Sequence, residues 1–66
     1  MDNNELKEAL MSGSPVTHNG IPYKCVSAII YRKRKDGKIH VEAELQSRDT
    51  NSISICDPRK IQRAEA

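Results

Sequence analysis

The segment from Ile39 to Gln46 constrains this chain more than any other. Ile39, Val41, Ala43 and Leu45 alternate strictly with His40, Glu42, Glu44 and Gln46. A period of two puts the apolar set on one side of a strand and the polar set on the other. Such a segment needs a sheet with one covered and one wet face, which is the habit of antiparallel sheets. Asp36-Gly37, immediately upstream, is a turn dipeptide, and the stretch Tyr23 to Arg34 before it is rich in β-branched residues. The two runs are expected to form a hairpin. Closing the loop on Asp36-Gly37 sets Ile30 opposite Ala43, Ala28 opposite Leu45 and Arg32 opposite Val41. One face then collects Val26, Ala28, Ile30, Ile39, Val41, Ala43 and Leu45. The other carries Ser27, Ile29, Tyr31 and Lys33 against His40, Glu42 and Glu44, with Tyr31 beside Glu42. A three-residue loop would slip the strands by one and set the apolar positions of one against the polar positions of the other, and is rejected on that ground. A strand as long as Tyr23 to Arg34 should also coil or change sheet, with a bend at Ser27 or a neighbour.

The remaining elements follow from punctuation. Asp2 with Glu5 three residues on is a capping pattern, and Leu6, Ala9 and Leu10 recur at helical spacing before Ser12-Gly13. This predicts a helix over residues 3–11, too short to persist unless Leu6 and Leu10 dock on the sheet. Val16-Thr17-His18 and Ile21-Pro22-Tyr23 flank Asn19-Gly20, the dipeptide suited to a type I′ hairpin, and Pro22 belongs where its missing amide faces solvent. Ile53-Ser54-Ile55 is a further strand, read with Ile53 and Ile55 joining Leu45 and Ala43 on the apolar face. Asp57-Pro58 should end it and start one helical or 3₁₀ turn through Ile61, which returns to the core. The organisation expected is one domain: helix or frayed arm over 1–12, sheet over 15–61, and a frayed tail over 62–66.

Composition makes the core thin. Sixty-six residues bury only about 60% of the surface an unfolded chain exposes, and with no Phe, no Trp and two Tyr the core must be aliphatic. Cys25 and Cys56 fall in different strands and nothing resembles a signal peptide, so reduced thiols and a cytoplasmic location are expected. The longest apolar run, Ala28 to Tyr31, is far short of the roughly 18 residues of a membrane span. The formal charge of +2 and pI near 8.7 are too slight to argue for nucleic acid unless the charges cluster.

They do cluster. Arg32-Lys33-Arg34-Lys35 with Lys38 sits at the tip of the expected second hairpin, and Arg59-Lys60 with Arg63 forms another basic group. Cations at a hairpin tip can grip phosphates, although Tyr31 alone offers a base a stacking surface. The same charges also solvate the tip and discourage intermolecular strand pairing. Other constellations carry less chemistry. His40, Glu42 and Glu44 share a strand face, but their Cβ atoms lie nearly 7 Å apart along it, so a metal site needs a further ligand from elsewhere. His18 with Cys25 lacks a third orienting group, and Asp49, Asn51 and Ser52 lack the bidentate acid of a calcium loop. No catalytic residue, metal site, cofactor or small-molecule substrate is implied.

The layout Gly13-Ser-Pro-Val-Thr-His-Asn-Gly20, Tyr23-Lys24, Ser27-Ala-Ile-Ile-Tyr-Arg32, Glu42-Ala-Glu-Leu45 and Asn51-Ser-Ile-Ser-Ile55-Cys-Asp-Pro58 resembles short uncharacterised proteins encoded in prophages of Gram-positive bacteria. At the level of architecture the order of elements is similar to SH3-like small barrels. The fold expected is therefore mainly β (α+β), a short N-terminal helix plus a twisted antiparallel sheet of four to five strands closing as a small barrel. The resemblance implies an interaction or assembly module. The function expected is non-catalytic, with a protein partner or self-association through sheet edges and an exposed strip at Ile29 and Tyr31. The alternative is a nucleic-acid-binding barrel using Arg32, Lys33, Arg34, Lys35 and Lys38.

Overall fold

In the computed structural model, which describes residues 1–64, one helix and two three-stranded antiparallel sheets enclose a small aliphatic core. The helix, α1, spans Asn3–Ser12. Asp2 caps it reciprocally: its Oδ1 accepts from the Glu5 amide at 2.8 Å, and its own amide donates to Glu5 Oε1 at 3.2 Å. Gly13 closes the other end with φ of 68°, its amide donating to the Ala9 carbonyl. The Met1 amino group ties this end of the chain down, donating to the carbonyls of Pro58 and Ile61 at 2.8 and 3.1 Å.

The first sheet has the order β2-β1-β6, with β1 at Val16–His18, β2 at Ile21–Tyr23 and β6 at Ile61–Arg63. Asn19 and Gly20 both take positive φ, at 52° and 78°, so β1 and β2 meet through the primed turn their sequence demands. Pro22 lies opposite Thr17 on the edge strand, where the ladder needs no amide from it. Gln62 and Arg63, expected in a frayed tail, instead pair with Thr17 and Val16, because Ile61 is buried and holds the chain beside β1. Ala64 follows them, its amide donating to the Pro15 carbonyl at 3.1 Å, and residues 65 and 66 lie outside the described residues.

The second sheet has the order β3-β4-β5, with β3 at Cys25–Lys33, β4 at Ile39–Gln46 and β5 at Ile53–Cys56. Its register differs from the expected one. Arg34 and Lys38 close the hairpin, the Arg34 amide donating to the Lys38 carbonyl and the Gly37 amide to the Arg34 carbonyl, both at 2.9 Å. The loop is therefore the three residues Lys35, Asp36 and Gly37, with Gly37 in the left-handed region at φ 83° and Asp36 Oδ1 accepting from the Lys38 amide.

What reconciles this loop with a buried face is a β-bulge between Val26 and Ala28. Ser27 is the extra residue, and it shifts the phase of β3 by one. Val26 still faces Leu45, but beyond the bulge Ile29 pairs with Ala43, Tyr31 with Val41 and Lys33 with Ile39. Ala28 and Ile30 are opposite Glu44 and Glu42 on the outer face, not on the core face as expected. The expected neighbours Tyr31 and Glu42 are thereby separated.

A second correction concerns β5. Ser47 donates to the Ser52 carbonyl across loop 48–51, so Ser54 and Cys56 pair with Leu45 and Ala43. Cys56 is buried, while Ile53 and Ile55 turn outward at 54% and 44% exposure. An even loop inverts the strand relative to an odd one.

Leu6, Ala9, Val16, Val26, Ala43, Leu45, Cys56 and Ile61 form the buried cluster, with Leu10, Tyr23, Ile29 and Val41 packed partly against it. The helix lies chiefly on β3. The two sheets share this core without hydrogen-bonding into a closed barrel, and six strands replace the four to five expected. Lys24 and the 3₁₀ turn Pro58–Lys60 are the breaks, the latter begun by a proline with no amide for a ladder. Among the described residues no helix is long and apolar enough to cross a membrane.

Candidate functional site

β5 accompanies β4 only from Gln46 to Ala43. Beyond that point β3 and β4 continue as a two-stranded ribbon, and residues 31–39 are all exposed. The molecule is elongated, 39 Å by 23 Å by 20 Å. The ribbon carries most of the residues that sequence reasoning singled out.

Register parity assigns its two faces. Tyr31, Val41, Lys33 and Ile39 lie on the side that continues the core, and Arg32, His40, Arg34 and Lys38 lie on the other. Tyr31 and Ile39 are 57% and 58% exposed. Ile29, expected beside Tyr31 on a wet face, does share its face, but that face is the core side and Ile29 is half-buried against the cluster. The apolar face thus runs out from under the helix along the ribbon, ending in Tyr31 and Ile39. Parity also leaves the N–H and C=O groups of Tyr31, Lys33, Ile39 and Val41 pointing away from the partner strand. No described strand pairs with either edge of the ribbon beyond Ala43. An open groove separates the ribbon from the body, with Arg34, Ile39 and Val41 on one wall and Met1, Pro58 and Arg59 on the other.

The basic residues are unequally committed. Arg32 Nε bonds Glu42 Oε1 at 2.8 Å, Arg59 bonds Asp57 at 2.8 Å, and Arg63 reaches Glu8 at 3.1 Å. The Arg59 guanidinium holds the Asp57 carboxyl down at about 2, and the carboxylate in turn raises the Arg59 pKa. So two members of the Arg59-Lys60-Arg63 group are neutralised locally. Among the described residues, Lys33, Arg34, Lys35 and Lys38 have no ion-pair partner.

The other sequence candidates fall apart as sites. His40, Glu42 and Glu44 do share one face of β4, but Glu42 is engaged by Arg32 and Glu44 Oε2 accepts from Ser27 at 2.7 Å. Cys25 Sγ lies 3.8 Å from Gln46 Oε1, while His18 sits in the other sheet between Ile21 and Ile61. Burial pushes the Cys56 thiol pKa up, as desolvation disfavours the thiolate. Ile39 keeps the core-side parity expected of it but is exposed, because β5 ends opposite Ala43 and leaves the far end of β4 uncovered; the shortness of the Ile53–Cys56 strand is the signal in the sequence. No family model, curated protein or solved structure matches the chain.

Proposed function

We propose that this protein is a non-catalytic interaction or assembly module that holds a protein partner on the apolar side of the β3–β4 ribbon. The observation that carries the reading is the pair Tyr31 and Ile39, each more than half exposed on the same face as the core. A partner side chain laid between them extends a hydrophobic surface that already begins under α1, and the open strand edges offer it backbone hydrogen bonds. Lys33, on the same face beside Ile39, favours a partner with an acidic residue next to its apolar one. The cations of the tip oppose a second copy of the chain in that place, because two ribbons side by side bring like charges together.

Quantitative affinity capture from the source cell, with the wild-type chain and the Tyr31→Ser/Ile39→Ser variant as paired baits, tests the reading. One or a few proteins retained by the wild type and lost by the variant are expected, with both baits equally folded by circular dichroism. Identical captured sets would overturn it.

A further inference from the structure

The opposite side of the ribbon presents a different chemistry. Arg34 and Lys38 stand across from one another at its end, Arg32 lies two residues inward on the same face, and Lys35 occupies the loop. Like charges directly opposite on a sheet cost stability. Protecting an edge against strand pairing calls for charge along that edge, and explains neither an Arg-Lys pair across the ribbon nor a lysine in the loop. The acids within reach do not neutralise them. Asp36 is occupied in the turn, accepting from the Lys38 amide, and Glu42 is held by Arg32. Elsewhere Arg59 and Arg63 are paired. Among the described residues, half of the cations without an ion pair, Lys33, Arg34, Lys35 and Lys38, fall within six consecutive positions at the ribbon tip, while Lys7, Lys24, Arg48 and Lys60 are scattered over the body.

We infer that this face is a binding surface for the phosphate backbone of duplex DNA, with the ribbon entering the major groove. The dimensions agree. Four residues of strand from Tyr31 to Arg34 extend about 13 Å, and the B-form major groove, about 12 Å wide and 8.5 Å deep, admits a two-stranded ribbon. Arg34, Lys35 and Lys38 then reach phosphates on the groove walls. The side chains at the tip of this face are cations that contact phosphate whatever the sequence, and the test therefore uses a mixed-sequence duplex. A-form RNA, whose major groove is narrow and deep, does not admit the ribbon. This surface is separate from the apolar face proposed to hold a protein, and each is tested by different residues.

The test is fluorescence anisotropy of a 20-base-pair mixed-sequence DNA duplex with the full chain, between 20 and 200 mM NaCl, with duplex RNA of the same sequence beside it. Three phosphate contacts predict a slope of log K against log salt of about −2.7, or about a 40-fold loss between 50 and 200 mM. Two triple variants remove equal charge: Arg34→Ala/Lys35→Ala/Lys38→Ala from the ribbon and Lys7→Ala/Lys24→Ala/Lys60→Ala from the body. The ribbon variant should lose the salt-dependent binding and the body variant keep it, with the single Lys35→Ala change lowering the slope by about one. Absence of binding at 20 mM salt, equal losses in both triple variants, or RNA bound as tightly as DNA would each overturn the inference. Tyr31→Ser/Ile39→Ser should bind DNA like the wild type, so failure of one surface leaves the other standing.

Discussion

Replacing Leu6 by Ala tests how this thin core is held together. Leu6 is fully buried in the cluster that includes Val26 and Leu45 of one sheet and Val16 and Ile61 of the other. Removing a fully buried leucine side chain costs about 3 kcal/mol, from lost transfer energy plus the cavity left behind. At roughly 0.05–0.15 kcal/mol per residue, a chain of this length has a total stability of about 3–10 kcal/mol. The variant should therefore lose a third or more of it. The helix is too short to survive undocked, and its loss uncovers Val26 on the strand beneath. Urea denaturation followed by far-ultraviolet circular dichroism measures this, with a melting temperature lower by about 12–24 °C as the companion sign. Met11→Ala is the control, being on the same helix but 88% exposed, and should stay within about 0.5 kcal/mol of the wild type. If Leu6→Ala and Met11→Ala behave alike, the helix is not part of the core and the reasoning fails.

Three further outcomes follow from local structure. Gly37→Ala places a Cβ on a residue at φ 83° with open space around it, so the cost is backbone strain of about 1 kcal/mol, measurable by the same denaturation. Asp57 should titrate near 2 by carbon-detected NMR in the wild type, and its midpoint should rise toward the ordinary carboxylate value in Arg59→Ala. Because the folded-state pKa is depressed, whatever stability the pair contributes is present above the unfolded value of about 3.9 and is lost as pH falls through about 2. An unchanged midpoint in the variant would remove the guanidinium as cause. Cys56 should react with a disulfide reagent only on unfolding, since burial raises its pKa and blocks access. Rapid labelling of Cys56 in the native protein would contradict its place in the core.

Local signals were legible in the chain because each depends on neighbouring residues. The capping box at Asp2 and Glu5, the Asn19-Gly20 turn, Pro58 opening a 3₁₀ turn and the return of Ile61 to the core all appear where the sequence places them. Strand phase was less legible. Alternation in β4 reads correctly, but the pattern of β3 reads as continuous, and one bulge at Ser27 moves Ile29 and Tyr31 to the core side and Ala28 and Ile30 away from it. The length of the run suggests a bend at Ser27 or a neighbour; the structure has a bulge at Ser27, whose consequence for register the sequence does not announce. The Ser27 hydroxyl bonds both the carbonyl and the carboxylate of Glu44, partners on another strand that no local pattern announces. The loop after Gln46 inverts β5 for the same reason. Asp36-Gly37 suits a two-residue and a three-residue turn alike, and the choice is made by packing. The cations of the ribbon were visible from the start. Which of them lack partners was not, because Glu42, Asp57 and Glu8 reach their arginines through folding.

The division of the ribbon into an apolar and a basic face rests on the pairing of β3 with β4, and proton NMR reads that pairing directly. Tyr31 and Val41 form a non-hydrogen-bonded pair, as do Lys33 and Ile39. In such pairs the Cα atoms are only about 4.5 Å apart and the α protons face one another. The structure predicts strong α-proton to α-proton Overhauser contacts between Tyr31 and Val41 and between Lys33 and Ile39. Contacts between Arg32 and Val41, or between Ile30 and Ala43, would establish the two-residue loop instead, and would scatter both faces on which the proposed functions depend.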